Sequence, residues 1–125
     1  MQSGSPGNGV LVNMENCNPT STSQRWTLVG NGLIQFTGTN FCLDAGTNPA
    51  NGVQMKLWTC YAGLAQQTFA YPSTAGLYRT SNSEYGNWSQ AYHIDQCLDL
   101  DNGNFFKLQT WTCSAPDPQQ QFIAV

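Results

Sequence analysis

The chain carries Gln96-Cys97-Leu98-Asp99, then Thr110-Trp111-Thr112-Cys113 and, after six further residues, Gln120-Gln121-Phe122. The same three segments stand earlier in the chain as Phe41-Cys42-Leu43-Asp44, Leu57-Trp58-Thr59-Cys60 and Gln67-Thr68-Phe69. Each copy reads Cys-Leu-Asp, a polar turn, a segment ending in aromatic-Thr-Cys, and a closing Gln-x-aromatic. A repeat of this length organises the whole chain and has to be recognised before any single motif is interpreted.

A partial copy precedes these two, because Cys17 is followed after six residues by Gln24-Arg25-Trp26. We therefore divide the chain into repeat one (1–29), repeat two (30–72) and repeat three (73–125). Three units that cannot bury their apolar faces alone must share one core around a pseudo-threefold axis, as in a β-trefoil. Repeat three is about ten residues longer than repeat two, and we predict that a Ser/Asn/Gly/Tyr-rich loop at about 81–92 holds the difference.

Composition also predicts an all-β fold in a single domain. The 125 residues are 9% charged, against about 25% in an average globular protein, and include 12 Gly. No stretch has helical apolar spacing for more than about two turns. Short alternating runs such as Leu33-Ile34-Gln35-Phe36, bounded by Gly and Asn, indicate strands instead.

The sequence argues against several classes of function. A net charge of −3 without a basic run argues against nucleic acid, and apolar runs well below the ~18 residues of a membrane span argue against insertion. His93 is the only histidine, and Glu15 and Glu84, the only glutamates, fall in segments that we predict to be turn or loop. We expect no enzyme activity, no cofactor and no metal. The calcium-like run Asp99–Gly103 is rejected, because Thr110 stands where a bidentate glutamate is needed.

The threefold Cys-Leu-Asp, aromatic-x-Cys and Gln-x-aromatic pattern resembles that of ricin-type lectin domains, also called family 13 carbohydrate-binding modules. The resemblance covers the whole chain. It implies a β-trefoil that binds glycans, most commonly of the galactose or N-acetylgalactosamine type. It also implies a structural role for the closing motifs, which comprise Gln24, Trp26, Gln67, Phe69, Gln120 and Phe122.

The family's sugar pocket is built from the aspartate, an aromatic before the second cysteine, and nearby amides. Carried onto repeat two, the resemblance implies Asp44 as hydroxyl acceptor, Trp58 as stacking platform, and Gln66 and Lys56 as polar partners. We expect Gln67 to orient Asp44 or to satisfy the backbone. An aspartate in a turn-rich β protein also commonly caps a turn, which is the alternative role for Asp44.

In repeat three the implied site residues are Asp99, Trp111, Gln119 and Gln109. This set matches the family pattern more cleanly, because a glutamine can donate and accept where Lys56 only donates. Tryptophans here could instead belong to the core. We expect Trp58 and Trp111 to be partly exposed, because other residues already supply the inward positions. The predicted core comprises Trp26, Phe69, Phe122, Leu28, Ile34, Leu43, Leu57, Leu98, Leu108 and Ile123.

Repeat one departs from the pattern. We expect the sequence to begin inside this repeat, without its opening strand and Cys-Leu-Asp. Glu15 takes the place of the aromatic, Asn13 lies two residues before it, and Ser23 precedes Gln24. We predict that repeat one has no working sugar site.

The resemblance implies disulfides Cys42–Cys60 and Cys97–Cys113, which leaves Cys17 unpaired. Disulfides persist in oxidising compartments, so a secreted protein is expected. Asn87-Trp88-Ser89 is a glycosylation sequon in the predicted loop, although such a tripeptide also arises by chance.

Two other functions stay open. The domain could be a protein-interaction or protease-inhibitor trefoil that uses the 81–92 loop, with Tyr85 and Trp88 as contacts. It could also be the binding module of a secreted glycosidase, attached to a catalytic domain in a longer parent and taking a xylan-type ligand.

Overall fold

The computed structural model describes residues 5–29, 32–70, 77–79, 84–86, 89–90, 93–101, 103, 106–114 and 118–120. Within these residues no helix is long and apolar enough to cross a membrane. Short 3-10 helices span Thr22–Gln24, Ala65–Gln67 and Pro118–Gln120. The strands are β1 (Trp26–Leu28), β2 (Ile34–Phe36), β3 (Phe41–Asp44), β4 (Val53–Gln54), β5 (Lys56–Thr59), β6 (Phe69–Ala70), β7 (Leu77–Arg79), β8 (Glu84–Gly86), β9 (Ser89–Gln90), β10 (His93–Asp101) and β11 (Lys107–Thr112).

The strands form antiparallel sheets. One has the order β1-β2-β3-β5, a second has the order β4-β11-β10-β9-β6, and β7 pairs with β8. In the second sheet, β4 of repeat two pairs with β11 of repeat three, so the repeats share hydrogen bonds. This architecture confirms the predicted all-β class.

Three backbone hydrogen bonds close a ring at the centre of the fold. The N–H of Val12 donates to the carbonyl of Met55 (3.0 Å), Met55 donates to Leu108 (2.8 Å), and Leu108 donates to Val12 (3.2 Å). All three side chains are fully buried. Each comes from a different repeat, so the ring places the three repeats around one core, as the trefoil prediction requires.

Most described residues of the predicted core are buried: Ile34, Leu43, Leu57, Phe69, Leu98 and Leu108. Trp26 is partly buried and contacts Phe36, with ring centroids 5.3 Å apart. Leu28 is a correction, since it is 48% exposed. It ends β1, the edge strand of its sheet, and has a strand neighbour on one side only. Phe122 and Ile123 lie outside the described residues.

The predicted loop at about 81–92 is also corrected. Glu84–Gly86 is strand β8, which pairs with β7, so Glu84 does not lie in a loop. Ser89–Gln90 is strand β9, which pairs with β6 and β10. β8 pairs with its neighbour in the chain, and β9 pairs both with nearby β10 and with β6 about twenty residues earlier. A Ser/Asn/Gly-rich composition does not signal this backbone pairing. Trp88 lies outside the described residues.

Both expected disulfides are present. Cys42–Cys60 joins β3 to the end of β5, and Cys97–Cys113 joins β10 to the end of β11, each with Cα atoms 5.0 Å apart. Each closes a loop of fewer than 20 residues and so stabilises the fold by about 3 kcal/mol on the loop-entropy estimate. Cys17 is unpaired and exposed.

Candidate functional site

The Cys-Leu-Asp segment and the aromatic-Thr-Cys segment of one repeat form adjacent antiparallel strands. In repeat two, Asp44 of β3 lies opposite Lys56 of β5. In repeat three, Asp99 of β10 lies opposite Gln109 of β11. Because side chains alternate along a strand, the tryptophan two residues farther along lies on the same face as these pairs. The intervening Leu57 and Thr110 are fully buried on the other face, as the sequence predicts.

The repeat-two pocket contains all four residues predicted for that repeat. It is shallow, with a volume of about 270 Å³. Trp58 is 39% exposed, whereas Asp44 is 2% exposed. A half-exposed indole and a buried carboxylate therefore face one opening. The lining residues are Asp44, Gly46, Thr47, Lys56, Trp58, Leu64 and Gln66.

The repeat-three pocket likewise contains its four predicted residues. Its volume is about 330 Å³. Trp111 is 43% exposed and Asp99 is 4% exposed, which repeats the arrangement around Asp44. The lining residues are Asp99, Leu100, Asp101, Gln109, Trp111 and Gln119.

The closing-motif glutamines hold the two aspartates. Gln67 Nε2 donates to Asp44 Oδ2 (3.1 Å) and to the Thr59 carbonyl (2.9 Å), while its Oε1 accepts from the Tyr61 N–H (2.9 Å). Gln67 and its repeat-three equivalent, Gln120, are both fully buried. Gln67 therefore bonds both to the Asp44 carboxylate and to two backbone groups. Gln120 makes the equivalent bonds to Asp99 Oδ2 (3.1 Å), the Thr112 carbonyl (2.9 Å) and the Ser114 N–H (2.8 Å).

The second carboxylate oxygen is held differently in the two repeats. Asp44 Oδ1 accepts from the Gly46 N–H (2.7 Å), so this residue caps its own turn while lining the pocket. Asp99 Oδ1 accepts from Gln109 Nε2 (2.8 Å). That bond directs the amide nitrogen of Gln109 toward Asp99 and leaves its buried Oε1 without a hydrogen-bond partner among the described residues.

The charge beside the indole also differs. Lys56 Nζ lies 5.7 Å from the ring centroid of Trp58, within cation–π range. At the equivalent position, repeat three has the neutral Gln109. A ligand that enters the repeat-two pocket thus meets an ammonium, and one that enters the repeat-three pocket meets an amide bonded to Asp99.

Each tryptophan contacts the turn of the preceding repeat, which the sequence reasoning missed. A Cβ atom on Gly9 would lie 3.9 Å from Trp58 Cζ3, and one on Gly52 would lie 3.8 Å from Trp111 Cζ3. Both glycines have φ near +87°, a conformation that favours glycine. The Asn-Gly pairs at 8–9 and 51–52 were the available signal, because they repeat at the same place in two units.

Repeat one keeps the scaffold of this site without its platform. Gln24 Oε1 accepts from the Asn18 N–H (2.8 Å), and its Nε2 donates to the Asn16 carbonyl (3.0 Å). Gln67 and Gln120 make the equivalent pair of backbone bonds in their own repeats. Exposed Glu15 stands at the tryptophan position. The absence of a working sugar site in repeat one stays a prediction.

A family model described as the ricin-type beta-trefoil lectin domain matches residues 1–122. The chain belongs to the ricin-type β-trefoil lectin family. A search of curated proteins found no match. Ricin-type lectin domains bind carbohydrate and are typically non-catalytic, so carbohydrate binding is the general function of this lectin domain.

The remaining general properties agree with this assignment. The two disulfides and the lectin family are consistent with an extracellular location. Across the described part of the lectin domain, no group of three or more His, Cys, Asp or Glu side chains is placed to hold a metal ion.

Proposed function

We propose that this lectin domain binds galactose- or N-acetylgalactosamine-type glycans without catalysis, through the pockets of repeats two and three. The main support for this proposal is that each of the two pockets pairs a half-exposed indole with a buried, oriented aspartate. Such pairs suit a pyranose, whose apolar C–H face stacks on an aromatic ring while its hydroxyls bond to carboxylate and amide groups.

The four predicted residues of each pocket have different roles in sugar binding. Asp99 accepts from a sugar hydroxyl, Trp111 supports the ring, and Gln119 and Gln109 contribute amide groups at the rim and floor. The set in repeat two is Asp44, Trp58, Gln66 and Lys56, with the ammonium as a donor only.

Each pocket aspartate is oriented by a glutamine, which suits a role as acceptor for a sugar hydroxyl. Because Gln67 and Gln120 fix one oxygen of each carboxylate, ligand binding need not order the acceptor. A carboxylate has about four lone-pair sites, so these bonds leave capacity for a hydroxyl. The pockets are shallow, and we expect each to bind weakly. Useful affinity then comes from a multivalent glycan that engages both pockets.

The galactose assignment rests on the family resemblance, so the experiment compares two sugar classes. Lactose and a xylooligosaccharide are titrated by calorimetry into the wild type, Trp58→Ala, Trp111→Ala and the double variant. Both tryptophans are half exposed, so their removal should leave the fold intact, as circular dichroism will show. Tyr61→Ala is the matched control, because Tyr61 is an exposed aromatic (54%) that lines neither pocket.

We expect lactose to bind the wild type and the Tyr61 variant equally, each single variant to lose about half the sites, and the double variant to show no heat. Binding of the xylooligosaccharide alone would replace galactose with a xylan-type ligand. Unchanged lactose binding by a folded double variant, or no sugar binding by the wild type, would overturn the proposal and point to a protein partner.

A further inference from the structure

A third pocket lies between repeats one and three, outside both proposed sugar sites. Its volume is about 470 Å³, larger than either of the others, and its lining is mostly apolar. One wall comes from the segment that holds Glu15, and the other from Leu100 of β10 and Phe106 just before β11. The lining residues are Met14, Glu15, Asn16, Leu100 and Phe106.

Glu15 stands at the position that Trp58 and Trp111 hold in the other two repeats. The Met14 N–H donates to the Phe106 carbonyl (2.7 Å), just as the Leu57 N–H donates to Val10 (2.8 Å), so the residue after Met14 occupies the place of Trp58. In repeats two and three the indole extends to the glycine of the preceding turn. Glu15 has no ring that could extend to a preceding turn in this way.

The pocket combines the same three chemical groups as the proposed sugar sites. Phe106 offers an apolar ring that is 54% exposed. Exposed Glu15 offers carboxylate oxygens, and exposed Asn16 offers an amide that can donate and accept. The donors and acceptors can hydrogen-bond to sugar hydroxyls, and the ring can stack on an apolar C–H face. Since none of these residues belongs to a Cys-Leu-Asp segment, this pocket is distinct in construction from the other two.

The third pocket also adjoins the repeat-three site, because Leu100 lines both. We propose that the pocket of Glu15 and Phe106 receives the next residues of a glycan chain whose terminal sugar binds at Asp99 and Trp111. This inference rests on the proposed function. It makes the repeat-three site an extended one that distinguishes an oligosaccharide from a monosaccharide, with one wall supplied by repeat one, which has no terminal-sugar site of its own. Repeat two then binds the terminal sugar alone.

The test measures the gain in affinity with chain length. Galactose-terminated saccharides of one to four units are titrated into the Trp58→Ala protein, in which only the repeat-three site remains. Phe106→Gly is then added to remove the ring. Phe106 has a φ of +54°, a conformation that glycine adopts readily, so this change should not strain the backbone. Leu28→Ala is the control, because Leu28 is a similarly exposed apolar side chain (48%) outside the pocket.

We expect affinity to rise about three- to tenfold from the monosaccharide to the longer chains, which is the size of one additional aromatic contact. Phe106→Gly should abolish this rise and leave monosaccharide affinity unchanged. Leu28→Ala should alter neither. A rise that persists in Phe106→Gly, or monosaccharide binding with no rise in any longer chain, would overturn the inference and leave the proposed function standing. Absence of all binding would overturn both.

A second readout locates the chain directly. With 13C-methyl methionine labelling, Met14 reports on the pocket, and fully buried Met55 is an internal reference in the core. We expect the trisaccharide to shift the Met14 methyl resonance and the monosaccharide to leave it in place, with Met55 unaffected by either. A Met14 resonance that ignores a bound trisaccharide would contradict the proposal.

Discussion

Asn51 Oδ1, in the turn of repeat two, accepts hydrogen bonds from both the backbone N–H (2.7 Å) and the hydroxyl (3.0 Å) of Thr112 in repeat three. Asn8 of repeat one makes the same two bonds to Thr59 of repeat two, at the same distances. Each threonine directly follows a pocket tryptophan. The turn of one repeat therefore fixes the strand that carries the platform of the next, so each pocket depends on two repeats.

This dependence predicts a crossed effect of two asparagine variants. Asn51→Ala should weaken lactose binding at the repeat-three pocket and spare the repeat-two pocket, whereas Asn8→Ala should do the reverse. Each should also lower the free energy of unfolding by about 1–2 kcal/mol, because Asn8→Ala removes two hydrogen bonds and Asn51→Ala removes two and a third, longer one from Gln96 Nε2 (3.3 Å). Calorimetry in Trp58→Ala or Trp111→Ala backgrounds reads each pocket separately, and urea denaturation gives stability. An Asn51 variant that weakens only its own repeat would contradict the crossed arrangement.

A carboxylate in place of Gln67 should make stability depend on pH. Gln67→Glu places an acidic group beside Asp44 in a buried site, 3.1 Å away in the present bond, and should destabilise the fold by about 2–3 kcal/mol at pH 7. Near pH 4–5 the folded variant can keep a proton shared between the two carboxyls. The folded state then binds more protons than the unfolded state, so unfolding free energy falls as pH rises.

Gln24→Glu is the matched control for this effect. Gln24 donates to a backbone carbonyl as Gln67 does, but repeat one has no Cys-Leu-Asp segment in this sequence. Both variants lose that donor, but only Gln67→Glu places the new carboxylate beside an aspartate. Thermal unfolding from pH 4 to pH 8 should show a clearly steeper decline for Gln67→Glu. Equal slopes would show that repulsion with Asp44 is not the cause.

The ammonium over Trp58 should make the repeat-two pocket the weaker one. Lys56→Gln removes a cation that a stacking sugar must displace, and it restores the amide found in repeat three. Lactose affinity measured in the Trp111→Ala background should rise about threefold, the size of a modest cation–π contact. Lys107→Gln makes the same change in charge outside the repeat-two pocket and should have no effect there. Lower affinity in Lys56→Gln would show instead that the charged donor contributes more to sugar binding than its displacement from the indole costs.

Exposed Cys17 should allow covalent dimers. Under oxidising conditions, mass measurement without reductant should show a dimer that reductant converts to monomer, while Cys17→Ser stays monomeric. The two disulfide cysteine pairs are internal controls, because they should remain intramolecular. A wild type that remains monomeric after oxidation would contradict this prediction.

The repeated motifs predicted the fold class and most of the core from residue types at set intervals, and the family resemblance that they carry implied both disulfide pairs. Leu28 escaped this reasoning. An apolar residue in an alternating strand is buried only when another layer covers it, and β1 lies at the edge of its sheet. The strands at 84–86 and 89–90 escaped it as well, since their sequences, Glu-Tyr-Gly and Ser-Gln, have no apolar alternation and only backbone pairing identifies them.

The sequence, through its family resemblance, predicted four of the residues that line each candidate sugar pocket. Three of each four lie on one face because a Cys-Leu-Asp strand pairs with an aromatic-Thr-Cys strand. Only the tertiary structure decided how the repeats support one another. The ring of Val12, Met55 and Leu108, the bonds from Asn8 and Asn51, and the open groove beside Glu15 all join residues 40 or more positions apart. Such contacts follow from packing around the pseudo-threefold axis, and no local spacing encodes them.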